Sequence, residues 1–150
     1  MKHVLDLPPV WLALALCGAW VQGRYMPVNL SLDHPVTQAI AWGLIGAGVI
    51  LIGAAALEFR RARTTIIPHQ TPRRLIRTGV FARSRNPIYL GDVLILSGFI
   101  LHMDALPSLI LVPLFVWWIS MHFIGPEEQR LRSMFGPDFD AYSQKVRRWV

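Results

Sequence analysis

The sequence predicts an all-α integral membrane protein with about four transmembrane helices. Of its 150 residues, 53% are hydrophobic and only 16% are charged, which is more apolar than a single soluble domain of this length normally needs. The apolar residues are gathered in four long runs. These runs cover residues 8–21, 36–57, 87–103 and 106–124.

The lengths of the runs decide how each one is interpreted. A hydrocarbon core ~30 Å thick needs about 20 apolar residues in a helix, and 36–57 and 106–124 meet that requirement. The runs 8–21 and 87–103 are shorter, so flanking residues or local bilayer thinning must complete them. The first run has a second interpretation as a cleaved signal peptide, although Asp6 departs from the usual basic-then-apolar order.

The positions of the basic residues predict the topology. Eight arginines lie between the second and third runs, none lies between the third and fourth, and five basic residues follow the fourth. Only Arg24 lies between the first and second runs, and Lys2 precedes the first. The excess of positive charge on cytoplasmic loops therefore places both termini, the loop 58–86 and the tail 125–150 in the cytoplasm.

A short link joins the third and fourth runs. Only about residues 103–105 separate them, and Pro107 suits the first turn of the next helix. So short a connection predicts an antiparallel helical hairpin. The hairpin would bring 86–92 and 121–128 to the same cytoplasmic level.

The tail is predicted to be helical and amphipathic. Pro126 suits the first turn of a helix after the fourth run, and Gly136-Pro137 interrupts that helix. Aromatic and apolar residues then recur at helical spacing beside three basic residues, which indicates a helix lying on the inner membrane face. The apolar residues are Phe139, Tyr142, Val146 and Trp149.

Small residues are concentrated in the second run. Gly43 and Ala47 have the spacing that lets two helices approach closely, either within the bundle or in a homodimer. Cys17 is the only cysteine, so no disulfide framework and no thiol metal cluster is expected. The five histidines are scattered, without the spacing of metal ligands, and we predict no metal site.

Charged residues accumulate at the cytoplasmic ends of the predicted hairpin. Arg83 and Arg85 lie at the mouth of the third run, and Asp92 lies about a turn and a half inside it. A carboxylate at that depth is costly and usually faces protein or water. Glu127 and Glu128 follow the fourth run, where they could serve as helix-start carboxylates or hold hydroxyl, amino or cationic groups of a ligand.

From Thr71 to the C-terminus, about half of the chain, the sequence resembles the isoprenylcysteine carboxyl methyltransferase family and its bacterial relatives. Those proteins are similar in turn to phospholipid N-methyltransferases. The resemblance rests on the order and spacing of five short motifs. They are Leu75-x-x-Thr-Gly79, Arg83-x-Arg-Asn-Pro-x-Tyr-Leu-Gly91, Glu127-Glu128-x-x-Leu131, Phe135-Gly136 and Phe139-x-x-Tyr142.

The resemblance implies an integral membrane methyltransferase that uses S-adenosylmethionine and takes a small lipophilic or lipid-linked substrate from the bilayer. The methyl acceptor would be a carboxylate, or else an amine or hydroxyl. No nucleic acid partner is expected. The catalytic candidates are Arg83, Arg85, Glu127 and Glu128. The residues implied to contact the cofactor are Arg85, Asn86, Pro87, Tyr89, Leu90, Gly91, Glu127, Glu128 and Tyr142.

One position departs from the pattern of the family. Many members carry histidine where this chain has Asn86. Asparagine keeps the ability to form hydrogen bonds, but it cannot exchange a proton near neutral pH. If that histidine is a base elsewhere, this chain lacks the step or assigns it to another residue, for which Glu127, Glu128 and Asp92 are the candidates.

Two other functions are compatible with the sequence. Membrane sterol reductases are similar to this family in their C-terminal half and use NADPH, whose 2′-phosphate the loop arginines could bind, but their longer set of spans is missing here. A non-enzymatic membrane subunit is the other alternative. The sequence names neither the acceptor nor the oligomeric state.

Overall fold

The computed structural model describes residues 7–26, 31–63 and 74–150. Lys2, Asp6 and Thr71, which enter the sequence predictions, lie outside the described residues, as does Arg73 among the eight loop arginines. Within the described ranges the chain forms helices and contains no strand. The helices are α1 (Pro8–Tyr25), α2 (Pro35–Arg61), α3 (Pro87–His102), α4 (Leu111–Ile119), α5 (Gly125–Phe135) and α6 (Pro137–Lys145).

Proline is the first or second residue of every one of these helices except α4. At that position the missing N–H would have had no partner within the helix, and the fixed φ of proline already suits helical backbone. The starts of these helices are thus encoded locally. Their ends run further than the apolar runs predict, since α1 extends to Tyr25 and α2 to Arg61.

The fourth apolar run and the start of the tail form one continuous helical rod. A 3₁₀ turn (Leu106–Ile110) leads into α4, and a π-helical turn (Ser120–Ile124) connects α4 to α5. Pro126 lies in the first turn of α5, as predicted, although this helix continues the rod without a break. The ring of Pro126 would clash with the carbonyl four residues earlier in a regular α-helix. The π turn, in which Gly125 N–H donates to the Ser120 carbonyl, is the kind of widened turn that relieves such a clash.

Among the residues that the structure describes, two helical stretches are long and apolar enough to cross a membrane. They are Pro35–Arg61, with 27 residues, and Leu106–Phe135, with 30 residues. The apolar helix α3 is shorter, with 16 residues. The count of four spans and their sidedness stay predictions.

Helices α2 and α3 pack against each other at very short distance. A Cβ atom placed on Gly48 would lie 2.6 Å from the carbonyl oxygen of Gly91, and one placed on Gly98 would lie 2.6 Å from that of Ala41. Only glycine at these positions permits so close an approach. The expectation that Gly43 makes the close approach was wrong within this chain, because a Cβ there meets nothing within 4 Å.

The main core lies around α3 and α4. Leu96 and Ile100 of α3 are fully buried against Ile119 of α4 and Ala19 of α1. On the far side of the bundle, Asp104 accepts a hydrogen bond from Leu32 N–H at 2.9 Å. Hydrogen bonds from the Ser31 hydroxyl and the Leu32 amide hold the pKa of Asp104 below its usual value, and they tie the chain before α2 to the turn after α3.

The apolar face of the tail is buried inside the protein. Phe139, Tyr142 and Val146 form a second cluster, against which Leu75, Leu131 and Phe135 pack. The prediction that this face lies on the membrane surface was therefore wrong. Leu75, from the segment before α3, is one of the residues that cover this face.

Candidate functional site

A buried glutamate at the end of α2 holds the segment that leads into the site. Glu58 is 8% exposed, and its carboxylate accepts hydrogen bonds from the Thr78 hydroxyl at 2.7 Å and from Arg61 at 3.1 Å. Gly79 has a φ of +58°, and a Cβ there would lie 2.7 Å from the Glu58 carboxylate. Thr78 and Gly79 therefore fasten this segment to Glu58. Position 79 requires glycine because of its positive φ and because the Glu58 carboxylate leaves no room for a Cβ atom.

The turn after this anchor (Gly79–Ala82) places an aromatic wall. The Phe81 ring meets the Phe59 ring edge to face, with centroids 5.5 Å apart. The Tyr142 hydroxyl donates a 2.6 Å hydrogen bond to the Phe81 carbonyl. Burial raises the pKa of Tyr142 to about 12, although the nearby Arg85 charge opposes the shift, so the phenol stays a neutral donor.

Two neighbouring cavities open where α3 and α5 begin. The larger cavity has a volume of about 270 Å³, and the smaller one about 80 Å³. Together they reach the lower end of the ~300–1,000 Å³ typical of ligand pockets. Both cavities are lined by Phe59, Phe81, Arg85, Asn86 and Glu127.

The two cavities differ in the residues that they do not share. Apart from the shared residues, the larger cavity is bounded mainly by membrane-type helices, with Pro8 of α1, Ile52 of α2 and Ile88, Tyr89 and Asp92 of α3. The smaller cavity lies under the tail and is bounded by Leu75, Leu131, Glu128, Phe139 and Tyr142. The shared polar and aromatic side chains thus separate the larger cavity, which is mainly apolar, from the smaller cavity, which is formed by the loop and the tail.

Glu128 is held between two arginines. Its carboxylate lies 3.2 Å from the Arg85 guanidinium, and Arg148 binds both of its oxygens, at 3.2 and 2.6 Å. The side chains of Arg85 and Glu128 are only 15% and 14% exposed, so water screens this pair weakly. The hydrogen bond to Glu128 raises the pKa of Arg148.

The remaining polar groups face the cavities from several directions. The Tyr89 hydroxyl donates to Glu127 at 3.4 Å, and the side-chain amide of Asn86 donates to the Arg148 carbonyl at 3.0 Å. Asp92 is 6% exposed, and no described residue forms a hydrogen bond with its carboxylate. Arg85 Nε is buried and finds no acceptor among the described residues.

The structure brings together most of the predicted site residues. Arg85, Asn86, Pro87, Tyr89, Glu127, Glu128 and Tyr142 all line one cavity or both. Arg83, Leu90 and Gly91 line neither. Arg83 is exposed, and Gly91 packs against Gly48 and Ile52 at the α2–α3 contact. The functional roles of all the predicted site residues, including these three, stay predictions.

Several residues of the site were missed by the sequence analysis. Glu58 could have been found as a carboxylate in the last turn of an apolar helix, where a charge is costly. Phe59, Phe81 and Arg148 carry no comparable signal in the sequence. His122 lies apart from both cavities, where its ring stacks on Trp118 with centroids 3.6 Å apart. In the described ranges, no three or more His, Cys, Asp or Glu side chains are grouped as metal ligands would be.

Comparison with known proteins identifies the family of this chain. The model of the phospholipid methyltransferase family matches residues 36–138, which include both cavities' shared residues. A protein-S-isoprenylcysteine O-methyltransferase of Schizosaccharomyces pombe is 25% identical over 125 residues, which are 82% of this chain and 53% of that protein. The chain thus spans about half the length of this relative.

A second relative is shorter. An uncharacterised protein of Haemophilus influenzae is 36% identical over 63 residues, which are 42% of this chain and the whole of that protein. No solved structure matches the chain.

Proposed function

Since the chain belongs to the phospholipid methyltransferase family, we propose that it is a membrane enzyme that transfers a methyl group from S-adenosylmethionine to a small lipophilic acceptor. The observation that carries the proposal is the shared wall of the two cavities. Arg85, Asn86 and Glu127 face a loop-and-tail chamber on one side and an apolar chamber on the other. The polar cofactor would occupy the loop-and-tail chamber, the lipophilic acceptor would occupy the apolar chamber, and the two would meet at this wall.

The residues present fit the chemical groups of the cofactor. Arg85 Nε is a buried donor without an acceptor among the described residues, as a site for the cofactor's carboxylate requires. Glu127 can accept from an amino group or from ribose hydroxyls, and the rings of Phe59 and Phe81 offer faces to the adenine. When bound, S-adenosylmethionine supplies a methyl group on a cationic sulfur, which is open to in-line displacement.

The protein's own contribution is to position groups and to exclude water. Tyr89 orients Glu127 by its hydrogen bond, and the anchor at Glu58 together with the Tyr142 bond fixes Phe81 at the boundary of both chambers. Such side chains limit the geometries that two reactants can adopt. Correct orientation lowers the activation free energy of a bimolecular transfer by a large part.

The charges around the larger cavity favour one class of acceptor within this proposal. Arg85 is already paired with Glu128, while Asp92 and Glu127 place carboxylates at the cavity wall. These carboxylates would repel a carboxylate acceptor and would attract an amine. They can also take a proton from an amine or hydroxyl, so Asp92 and Glu127 are the proposed bases. A carboxylate acceptor oriented by Arg85 is the second candidate, because it needs no base.

The proposal also includes the sidedness of the membrane. The site lies at the end of the bundle that carries the arginine-rich loop and the basic tail, and the positive-inside rule assigns that end to the cytoplasm. Substrate from the bilayer would then enter the larger cavity.

Isothermal titration of S-adenosylmethionine into detergent-purified protein tests the cofactor assignment. The parent should bind saturably, Glu127→Gln should lose most of that affinity, and Asp92→Asn should keep it. No binding by a folded, monodisperse parent would refute the proposal, and NADPH would then be titrated to test the reductase alternative.

A transfer assay separates the acceptor classes. Membrane extract is incubated with protein and with cofactor labelled on its methyl group, and the products are treated with mild base. Methyl esters release the label as methanol, whereas methylated amines and methyl ethers retain it. Base-stable label that falls with Asp92→Asn supports the amine or hydroxyl acceptor, and base-labile label that persists in Asp92→Asn supports the carboxylate acceptor.

A further inference from the structure

The segment after α6 crosses the mouth of the site. Val146 leaves the helix in an extended conformation, with φ −119° and ψ 128°. The amide of Arg85 donates to the Arg147 carbonyl at 3.0 Å, and the side chain of Asn86 donates to the Arg148 carbonyl at 3.0 Å. Two residues that line both cavities are therefore held by consecutive carbonyls of this segment.

The side chain of Arg148 makes a separate contact with the site. It binds Glu128 through two parallel hydrogen bonds, Nε to Oε1 at 3.2 Å and Nη2 to Oε2 at 2.6 Å. A fork of this kind fixes the plane of a carboxylate, which a single hydrogen bond does not. The oxygen Oε1 also lies 3.2 Å from Arg85 Nη2, so the orientation set by Arg148 is passed on to Arg85.

This chain of contacts ends at an unsatisfied donor. The Nη2 group of Arg85 is engaged by Glu128, while its Nε is buried and lacks an acceptor among the described residues. A guanidinium is planar, so fixing one of its nitrogens restricts the direction of the others. The contact with Glu128 therefore restricts the directions in which Arg85 Nε can point.

We propose that Arg148 is a positioning residue, which holds Glu128 and thereby aims Arg85 Nε at the carboxylate of the bound cofactor. The inference rests on the proposed function, since the ligand is the cofactor of that reaction. It assigns to Arg148 an indirect role, without contact between Arg148 and the ligand.

Arg147 provides a matched control for the test. It is the adjacent residue with the same charge, but its side chain is exposed and only its backbone carbonyl contacts the site. Arg148→Ala should raise the Kd for S-adenosylmethionine about tenfold, the effect of losing one charge-assisted contact. Arg148→Lys should behave nearly as Arg148→Ala, because lysine keeps the charge and loses the fork, whereas Arg147→Ala should bind as the parent does.

A double-mutant cycle distinguishes positioning from simple structural support. If Arg148 acts through Glu128, Arg148→Ala should add little to the loss already caused by Glu128→Gln. Multiplicative losses in the double variant, or equal losses in Arg147→Ala and Arg148→Ala, would overturn the proposal.

The coupling between Arg148 and Arg85 can also be measured without cofactor, by NMR of the Arg85 side chain. The ¹⁵N resonance of Arg85 Nε, assigned by its absence in Arg85→Lys, should shift in Arg148→Ala and stay in place in Arg147→Ala. A parent that binds no cofactor but shows this shift refutes the proposed function and leaves the Arg148–Glu128–Arg85 coupling standing. An Arg85 resonance that Arg148→Ala leaves unmoved contradicts the coupling itself.

Discussion

Arg85 and Arg83 are two residues apart, yet the structure gives them different surroundings. Arg85 lines both cavities and is 15% exposed, while Arg83 is exposed and has no ion-pair partner among the described residues. The family resemblance marks both as catalytic candidates. Replacing each by alanine therefore tests whether lining the cavities, rather than belonging to the motif, decides which arginine binds the cofactor.

The expected magnitudes follow from the contacts. Arg85→Ala removes the 3.2 Å pair with Glu128, but Arg148 remains on that carboxylate. The loss of stability should therefore be about 1–3 kcal/mol, below the roughly 3–5 kcal/mol that follows when a buried charge is left without any partner. Loss of a charge-assisted bond to the cofactor, about 1.5–3 kcal/mol, raises the Kd roughly 10- to 150-fold. Arg83→Ala should change the stability by no more than about 0.5 kcal/mol.

Titration calorimetry with S-adenosylmethionine measures the affinities, and thermal unfolding in the same detergent measures the stabilities. The two variants should differ by at least tenfold in Kd. Equal losses of affinity, or a larger loss in Arg83→Ala, would show that the placement of Arg85 in the cavities does not explain cofactor binding.

Three further substitutions, and Gly43→Ala as a control, test the packing in the bundle and around the site. Gly48→Ala should destabilise the protein by about 1–3 kcal/mol in thermal unfolding, because the added Cβ would lie 2.6 Å from a backbone oxygen, whereas Gly43→Ala meets nothing within 4 Å and should be tolerated. Gly79→Ala should lower the melting temperature and weaken cofactor binding together, because it strains a φ of +58° and displaces Glu58. Tyr142 has a pKa raised from 10.0 to about 12. Its contribution to the free energy of unfolding is therefore complete below pH 10 and is lost as the pH rises toward 12. Tyr142→Phe should therefore be less stable than the parent at neutral pH, and the difference should narrow above pH 10; a constant difference would contradict the shift.

The helices could be predicted from sequence because their signals are local. Apolar runs and prolines at helix starts depend on neighbouring residues alone, and these signals located α2, α3 and the rod from Leu106 onward. The π turn could not be predicted, because it is a response of the continuous rod to Pro126. Small-residue spacing singled out Gly43 in α2, but several glycines of this helix are close in sequence, and it is Gly48 that faces Gly91 within the chain.

By itself, the sequence determined that the chain is helical and apolar, and that arginines and carboxylates accumulate near the starts of α3 and α5. Only the tertiary structure decided which of those charges share a cavity. Arg85 points inward because the turn before it is fastened by Glu58 and Tyr142, and Glu128 is fixed by Arg148, which lies 20 residues further along the chain. Contacts of this kind depend on how the loop and the tail fold over the bundle, and no local pattern of residues carries that information.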